Sequence, residues 1–195
     1  FRVYHDEKGT VNVTGGFRFG INNANLIGNN SISLPMDYQS SLGTTDLIVG
    51  GNARFGDFSA SLALQFPIWQ YNENQNVVLR YLRPESPTDP TTLRFDRKAD
   101  IMIRIDKRWV FDNGGLQVGI LPIYHVAEDE LLSSENSGLI IIEGSQRLTV
   151  NIPFGAWYKK NQWTFGLDGG FPVVVRDERP DGLTRRFVIQ PRIAY

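Results

Sequence analysis

Cysteine is absent from the 195 residues, so neither a disulfide framework nor a thiolate metal site is available. No apolar run approaches the roughly 18–20 residues that a membrane-crossing helix needs. Neither sign of charge is in excess. The 20 Lys and Arg against 21 Asp and Glu leave a net charge of −1, which gives no field to recruit nucleic acid or an acidic surface. There is no phosphate-binding glycine motif and no basic–aromatic groove. The chain opens at Phe1 without a basic region, apolar core or small-residue cleavage site, so any signal peptide is expected to have been removed already. Only two histidines, His5 and His125, are present to serve as a base.

What the chain does have is glycine (19 residues), aromatics (12%) and a strict alternation of apolar and polar positions. The alternation predicts strands near 10–22, 44–55, 58–70, 98–111, 115–127, 146–159, 162–175 and 185–195. Their connections run long (23–43), short (Gly56-Asp57), long (71–97), short (Asp112-Asn113-Gly114), long (128–145), short (Lys160-Asn161) and medium (176–184). In the third strand Phe58, Ala60, Leu62, Leu64, Phe66 and Ile68 share one face, opposite Ser59, Ser61, Ala63 and Gln65. In the seventh, Trp163, Phe165 and Leu167 oppose Thr164, Gly166 and Asp168.

A soluble barrel or sandwich would turn the apolar face inward, and a membrane barrel would turn it toward lipid. Strands of 11–14 residues suit the apolar belt of about 25 Å better than the usual soluble strand of about 5–6. Phe55, Phe58, Trp109, Phe111, Tyr158, Trp163 and Tyr195 gather at the short-turn end, while Tyr71, Tyr124 and Phe171 lie toward the other. Two aromatic girdles fit two lipid–water interfaces. Mean hydropathy of −0.25 does not oppose this, because alternation dilutes hydropathy. With its final strand running through Phe187 and Ile193-Ala194-Tyr195, the chain resembles the small eight-stranded outer-membrane barrels of Gram-negative bacteria, the OmpA- and OmpX-like proteins. The resemblance is architectural and covers nearly the whole chain. It implies a single domain over 1–195, an all-β, eight-stranded antiparallel up-and-down transmembrane barrel with short periplasmic turns and long extracellular loops. It also implies an outer-membrane location and membrane lipid as partner, together with other outer-membrane subunits if the barrel serves a larger complex.

Turned inward, the polar face supplies a barrel-interior network of Arg18, Arg54, Arg104, Asp106, Arg108, Asp168 and Arg192. Charges in so narrow a space must be paired. The expectation is a plug of Arg–Asp ladders around Asp106 and Asp168, with a cation-lined, anion-favouring pore as the alternative. Inward glycines at 16, 20, 50, 119, 155, 166 and 170 leave room for side chains or water. Pro67, Pro122, Pro153, Pro172 and Pro191 fall inside strands, where a missing N–H predicts bulges.

His5 is expected to precede the barrel, and His125 to be a solvated residue at a loop base. Ser133 or Ser134 could join His125 in a lipid hydrolase, but no motif supports one. Glu128, Asp129, Glu130 and Glu135 read as a solvated loop without calcium-site spacing. The segment Val77–Arg83 reads as a strand extension, shaped by Pro84, Pro87 and Pro90. Leu139-Ile140-Ile141-Ile142 reads as a covered extension of the sixth strand or a subunit surface. No catalytic residue, metal or cofactor is expected. The function reading is therefore a structural or interaction barrel acting through its loops. The alternatives are a small channel or uptake protein, a lipid-modifying enzyme and a soluble lipocalin-like carrier.

Overall fold

A computed structural model describes residues 1–82, 93–133, 138–182 and 186–195. Among these, the main body is one nine-stranded antiparallel sheet in the order β1-β2-β3-β4-β6-β7-β10-β11-β12. Its strands are β1 (Arg2–His5), β2 (Gly9–Arg18), β3 (Thr44–Phe55), β4 (Phe58–Gln70), β6 (Asp100–Phe111), β7 (Gly114–His125), β10 (Leu148–Lys160), β11 (Trp163–Val174) and β12 (Val188–Ala194). A second, three-stranded sheet holds β5 (Leu93–Asp96), β8 (Asp129–Ser133) and β9 (Leu139–Ile142), and one helix, α1, spans Gln75–Tyr81.

All eight strands read from the alternation are present, and the turns between them carry the expected chemistry. Gly56 and Asn161 take left-handed φ angles of +56° and +55°, which the tight reversals at 56–57 and 161–162 require. The count of eight is corrected. Arg2–His5 adds β1 on the outer edge of β2, with Arg2 opposite Asn12 and His5 opposite Thr10. Asp6 builds this fourth short turn, its Oδ1 accepting from the N–H groups of Lys8 and Gly9 at 2.8 Å each. His5 thus belongs to the sheet and does not precede it. Hydrogen bonding does not close the sheet into a barrel among the described residues, since β1 and β12 are its two edges.

Two in-strand prolines sit at register shifts. Asp46 faces Pro67 just where the β3–β4 ladder slips, and Asn151 faces Pro172 where β10–β11 slips. Beyond Gln65 the β4–β6 ladder ends and the strands part. Gln70 fills the gap, its Oε1 accepting from Arg97 N at 3.1 Å and its Nε2 donating to Arg97 O at 2.6 Å.

The long connections form a folded cap. Every buried hydrophobic residue among those described lies there, from Ala24, Met36 and Leu42 through Val77 and Val78 to Leu93, Phe95, Leu131 and Ile142. Residues 77–82 form helix and its C-cap, not a strand extension, and Arg83, Pro84, Pro87 and Pro90 lie outside the described residues. Asn74 explains the switch. Its Oδ1 accepts from Val77 N at 3.0 Å, capping the helix, while its Nδ2 donates to Ala24 O at 2.8 Å and Leu34 O at 3.0 Å. Leu139–Ile142 is not a continuation of the wall but a strand of the cap sheet, with Ile142 buried and Ile141 exposed. Asn74→Ala removes the cap and orphans two carbonyls, which should cost about 1–3 kcal/mol. Amide exchange in Gln75–Tyr81 should accelerate while exchange in β6 and β7 is unchanged.

Candidate functional site

The main sheet leaves its apolar residues open while burying part of its polar face, mostly toward the cap. On the apolar face Phe17, Leu62, Ile103, Leu116, Ile120 and Phe165 are 43–59% exposed. On the polar face Asp106 is 6% exposed, and Gln65, Asp100, His125 and Thr149 are also buried. Polar residues line the concave side, and apolar ones are left open.

Along that concave side the anticipated residues fall into separate groups. Arg18 pairs with Asp46, at the top of β2 and β3, and also donates to Thr44 Oγ1 at 3.2 Å. Arg104 grips Asp106, its Nε lying 2.8 and 3.0 Å from the two carboxylate oxygens. Asp168 and Arg192 pair more loosely at 3.5 Å. Arg54 is exposed opposite Thr10, outside these pairs. Among the described residues Arg108 meets no carboxylate, and it lies over the Trp157 ring, 4.2 Å from its centroid. Inward glycines make the space. A Cβ at Gly119 would overlap Asp106, and one at Gly155 or Gly166 would crowd Asp168 or Arg192.

The densest chemistry lies higher, where wall meets cap, and little of it was anticipated. Six groups alternate in charge through the sequence Arg176–Asp181–Arg97–Asp100–His125–Asp129. Arg176 Nη2 reaches both Asp181 oxygens at 2.6 and 2.7 Å, and Arg97 Nε lies 3.3 Å from Asp181 Oδ2. Arg97 also pairs with Asp100. His125 Nδ1 lies 2.8 Å from Asp100 Oδ1 and its Nε2 2.8 Å from Asp129 Oδ1. Ionised carboxylates only accept, so both ring nitrogens donate and the imidazole is the third cation of the chain. All six residues are buried, and His125 is only 1% exposed. The solvated loop-base histidine is thereby corrected. Neither nitrogen is free to serve a hydroxyl nucleophile; Ser133 contributes its backbone to β8, and Ser134 lies outside the described residues.

The acidic connection is ordered too. Glu128 accepts from Gly144 N at 3.2 Å and Ser145 N at 3.0 Å, and Ser145 Oγ accepts from Asp129 N at 2.7 Å. Glu130 and Asp96 hold Lys98 Nζ at 2.6 Å each. Glu135 lies outside the described residues. Burial pushes the Asp181 carboxyl upward, yet Arg97 and Arg176 outweigh it and hold the pKa below the ordinary value. Glu128 moves the same way: the Ser145 hydroxyl and the N–H groups of Gln146, Gly144 and Ser145 overcome its desolvation.

Chemically, the chain of ions is a clamp. It offers no activated nucleophile, and among the described residues no group of three His, Cys, Asp or Glu side chains is placed to hold a metal. No helix among the described residues is long and apolar enough to cross a membrane, which does not bear on strands. No protein-family model, curated protein or solved structure matches the chain.

Asp181→Asn leaves Arg97 and Arg176 short of a counter-charge in a buried place, which should cost about 3–5 kcal/mol in cap unfolding followed by denaturant titration. The pH dependence follows from the lowered values of Asp181 and Glu128. Such carboxylates stabilise the fold above their unfolded pKa, and the contribution is lost as pH falls through the folded one. Cap amide protection should be complete at neutral pH and decline below about pH 4.

Proposed function

We propose that the chain is an outer-membrane wall protein with a polar interior, whose role is structural or interactive and is carried by the cap on its long-connection side. The observation that carries the reading is the inverted coverage of the sheet. Among the described residues the apolar face is left open, the polar face buries Asp46, Gln65, Asp100, Asp106, His125 and Thr149, and the buried hydrophobic residues lie in the cap. In water such an apolar face would drive aggregation; against lipid it needs no partner. Spacing of the aromatics supports the same reading. Phe58 and Trp69 stand 11 residues apart on β4. At about 3.3 Å per residue and about 45° of tilt, they mark a belt of about 25 Å. Trp163 packs edge-on against Tyr195 at 4.8 Å in the short-turn girdle, with Phe55, Phe58, Phe111 and Tyr158 exposed at the same end. In this reading the eight long strands follow the antiparallel up-and-down pattern of the small outer-membrane barrels, with the short turns in the periplasm and the cap outside.

A second reading, an anion-favouring channel, draws support from a cationic hollow at the short-turn end lined by Arg108, Lys159 and Arg192. Against it, the far end of the concave face is filled by the ion chain and the cap. Bilayer recordings of the unmodified protein should therefore give no stable conductance steps.

Leu62 lies mid-wall, between Gly51 and Ile103, and is 50% exposed. Leu62→Arg should destabilise the protein by about 2–4 kcal/mol when unfolding is measured in liposomes. If that variant or the parent chain folds to the same sheet in detergent-free buffer, the membrane assignment is lost.

A further inference from the structure

The short-turn end of the concave face encloses an open hollow of 620 Å³, and none of its lining residues belongs to the buried ion chain. Three cations reach it, Arg108, Lys159 and Arg192, against two carboxylates, Asp112 and Asp168. Arg192 is already engaged with Asp168 at 3.5 Å. Asp106, the nearest inward carboxylate on the strand of Arg108, is taken by Arg104. Among the described residues Arg108 is therefore left without a counter-charge within ion-pair distance. Its guanidinium is nevertheless held in place by the Trp157 ring, 4.2 Å away, and its Nε is closed off from solvent with no acceptor. Trp157 is seated in turn by Gly115, where any Cβ would overlap the indole. Glycine, indole and guanidinium thus form a stack that fixes an unneutralised cation at the edge of an open space.

We propose that this hollow binds a small oxyanion-bearing solute, with Arg108 as its anchor and the exposed Lys159 as a second cation. A guanidinium presents a planar fork that matches a carboxylate or phosphate group, and an ammonium adds an undirected charge. The volume falls within the ligand-pocket range of about 300–1,000 Å³ and exceeds what a bare phosphate fills. The ligand class is therefore a small organic molecule carrying a phosphate or carboxylate group, and a phospholipid headgroup at the short-turn interface offers the same chemistry. The site rests on the concave face itself, not on whether the opposite face meets lipid.

The test is calorimetric titration of inorganic phosphate into the full chain, at low salt, in a non-ionic detergent. Saturable binding is expected, weakened at least about tenfold by Arg108→Gln, as loss of a charge-assisted hydrogen bond predicts. Because that variant unseats the Trp157 stack, Lys159→Gln at the end of β10 is the second probe. It should weaken binding while leaving the circular dichroism unchanged. Parallel titrations with glycerol phosphate and a short-chain phosphatidylglycerol separate the sources. Preference for the first assigns a soluble solute, and preference for the second a lipid headgroup. Absence of saturable binding in the parent chain, or parental affinity in either variant, overturns the site.

Discussion

The ion chain from Arg176 to Asp129 is the constraint on which the rest of the structure depends. Its members come from the connection after β11, the segment between β5 and β6, the tops of β6 and β7, and the start of β8. Six buried charges are tolerable only because each has an opposite neighbour and the total cancels. That requirement works as a register lock. A slip of one residue in the β6–β7 hairpin would turn Asp100 or His125 to the apolar face and leave the others uncompensated. The ions also set the height at which the wall ends and the cap begins, because Arg97 carries the chain from the cap sheet into β6.

Above that level the protein is organised as a soluble domain, and below it in the reverse sense. The cap buries Val78, Phe95 and Leu131 completely or nearly so, with Asn72 and Asn74 bonded to loop carbonyls among them. The wall exposes residues of the same apolar types and buries Asp46, Asp100 and Asp106. A single aqueous solvent does not favour both arrangements in one chain. On the membrane reading proposed above, the change in burial pattern at the ion chain marks the passage from water around the cap to lipid around the wall.

Much of the wall was legible from alternation alone, since a period of two sorts residues onto faces whatever those faces meet. Sites were legible only where a tight turn fixes register. The reversal at Asp112-Asn113 pairs Phe111 with Gly114, and counting outward brings Asp100 opposite His125. That pairing, with Asp129 four residues beyond the histidine, was present in the sequence and could have exposed the clamp. Arg97, Arg176 and Asp181 carried no such signal, because long connections bring them together. The Val77–Arg83 alternation points to a strand, and the Asn74 cap with its tertiary bonds selects a helix over Gln75–Tyr81 instead. The four residues of β1 are too few to show a period, so the sequence pattern does not bring His5 into the sheet.

The additional strand changes the geometry of closure. Neighbours in the main sheet are antiparallel, so in a nine-stranded order the two edge strands, β1 and β12, run in the same direction. An antiparallel seam like that of the even-stranded barrels would need β12 to meet β2, whose lower edge β1 already occupies through the pairs Arg2–Asn12 and His5–Thr10. Unpaired edge groups are costly in hydrocarbon, so a wall in lipid must satisfy that seam. At the cap end, contacts between connections already bring the two margins together. Gly182, in the connection before β12, lies so close to Asp37, in the connection after β2, that a Cβ would sit 2.8 Å from the Asp37 nitrogen. Tyr81 reaches across to Glu178 at 2.7 Å, and Arg97 to Asp181. The cap thus holds the connections at the two margins together at one end, where buried ions fix the alignment, so on the barrel reading the wall below would need no further long-range search to close.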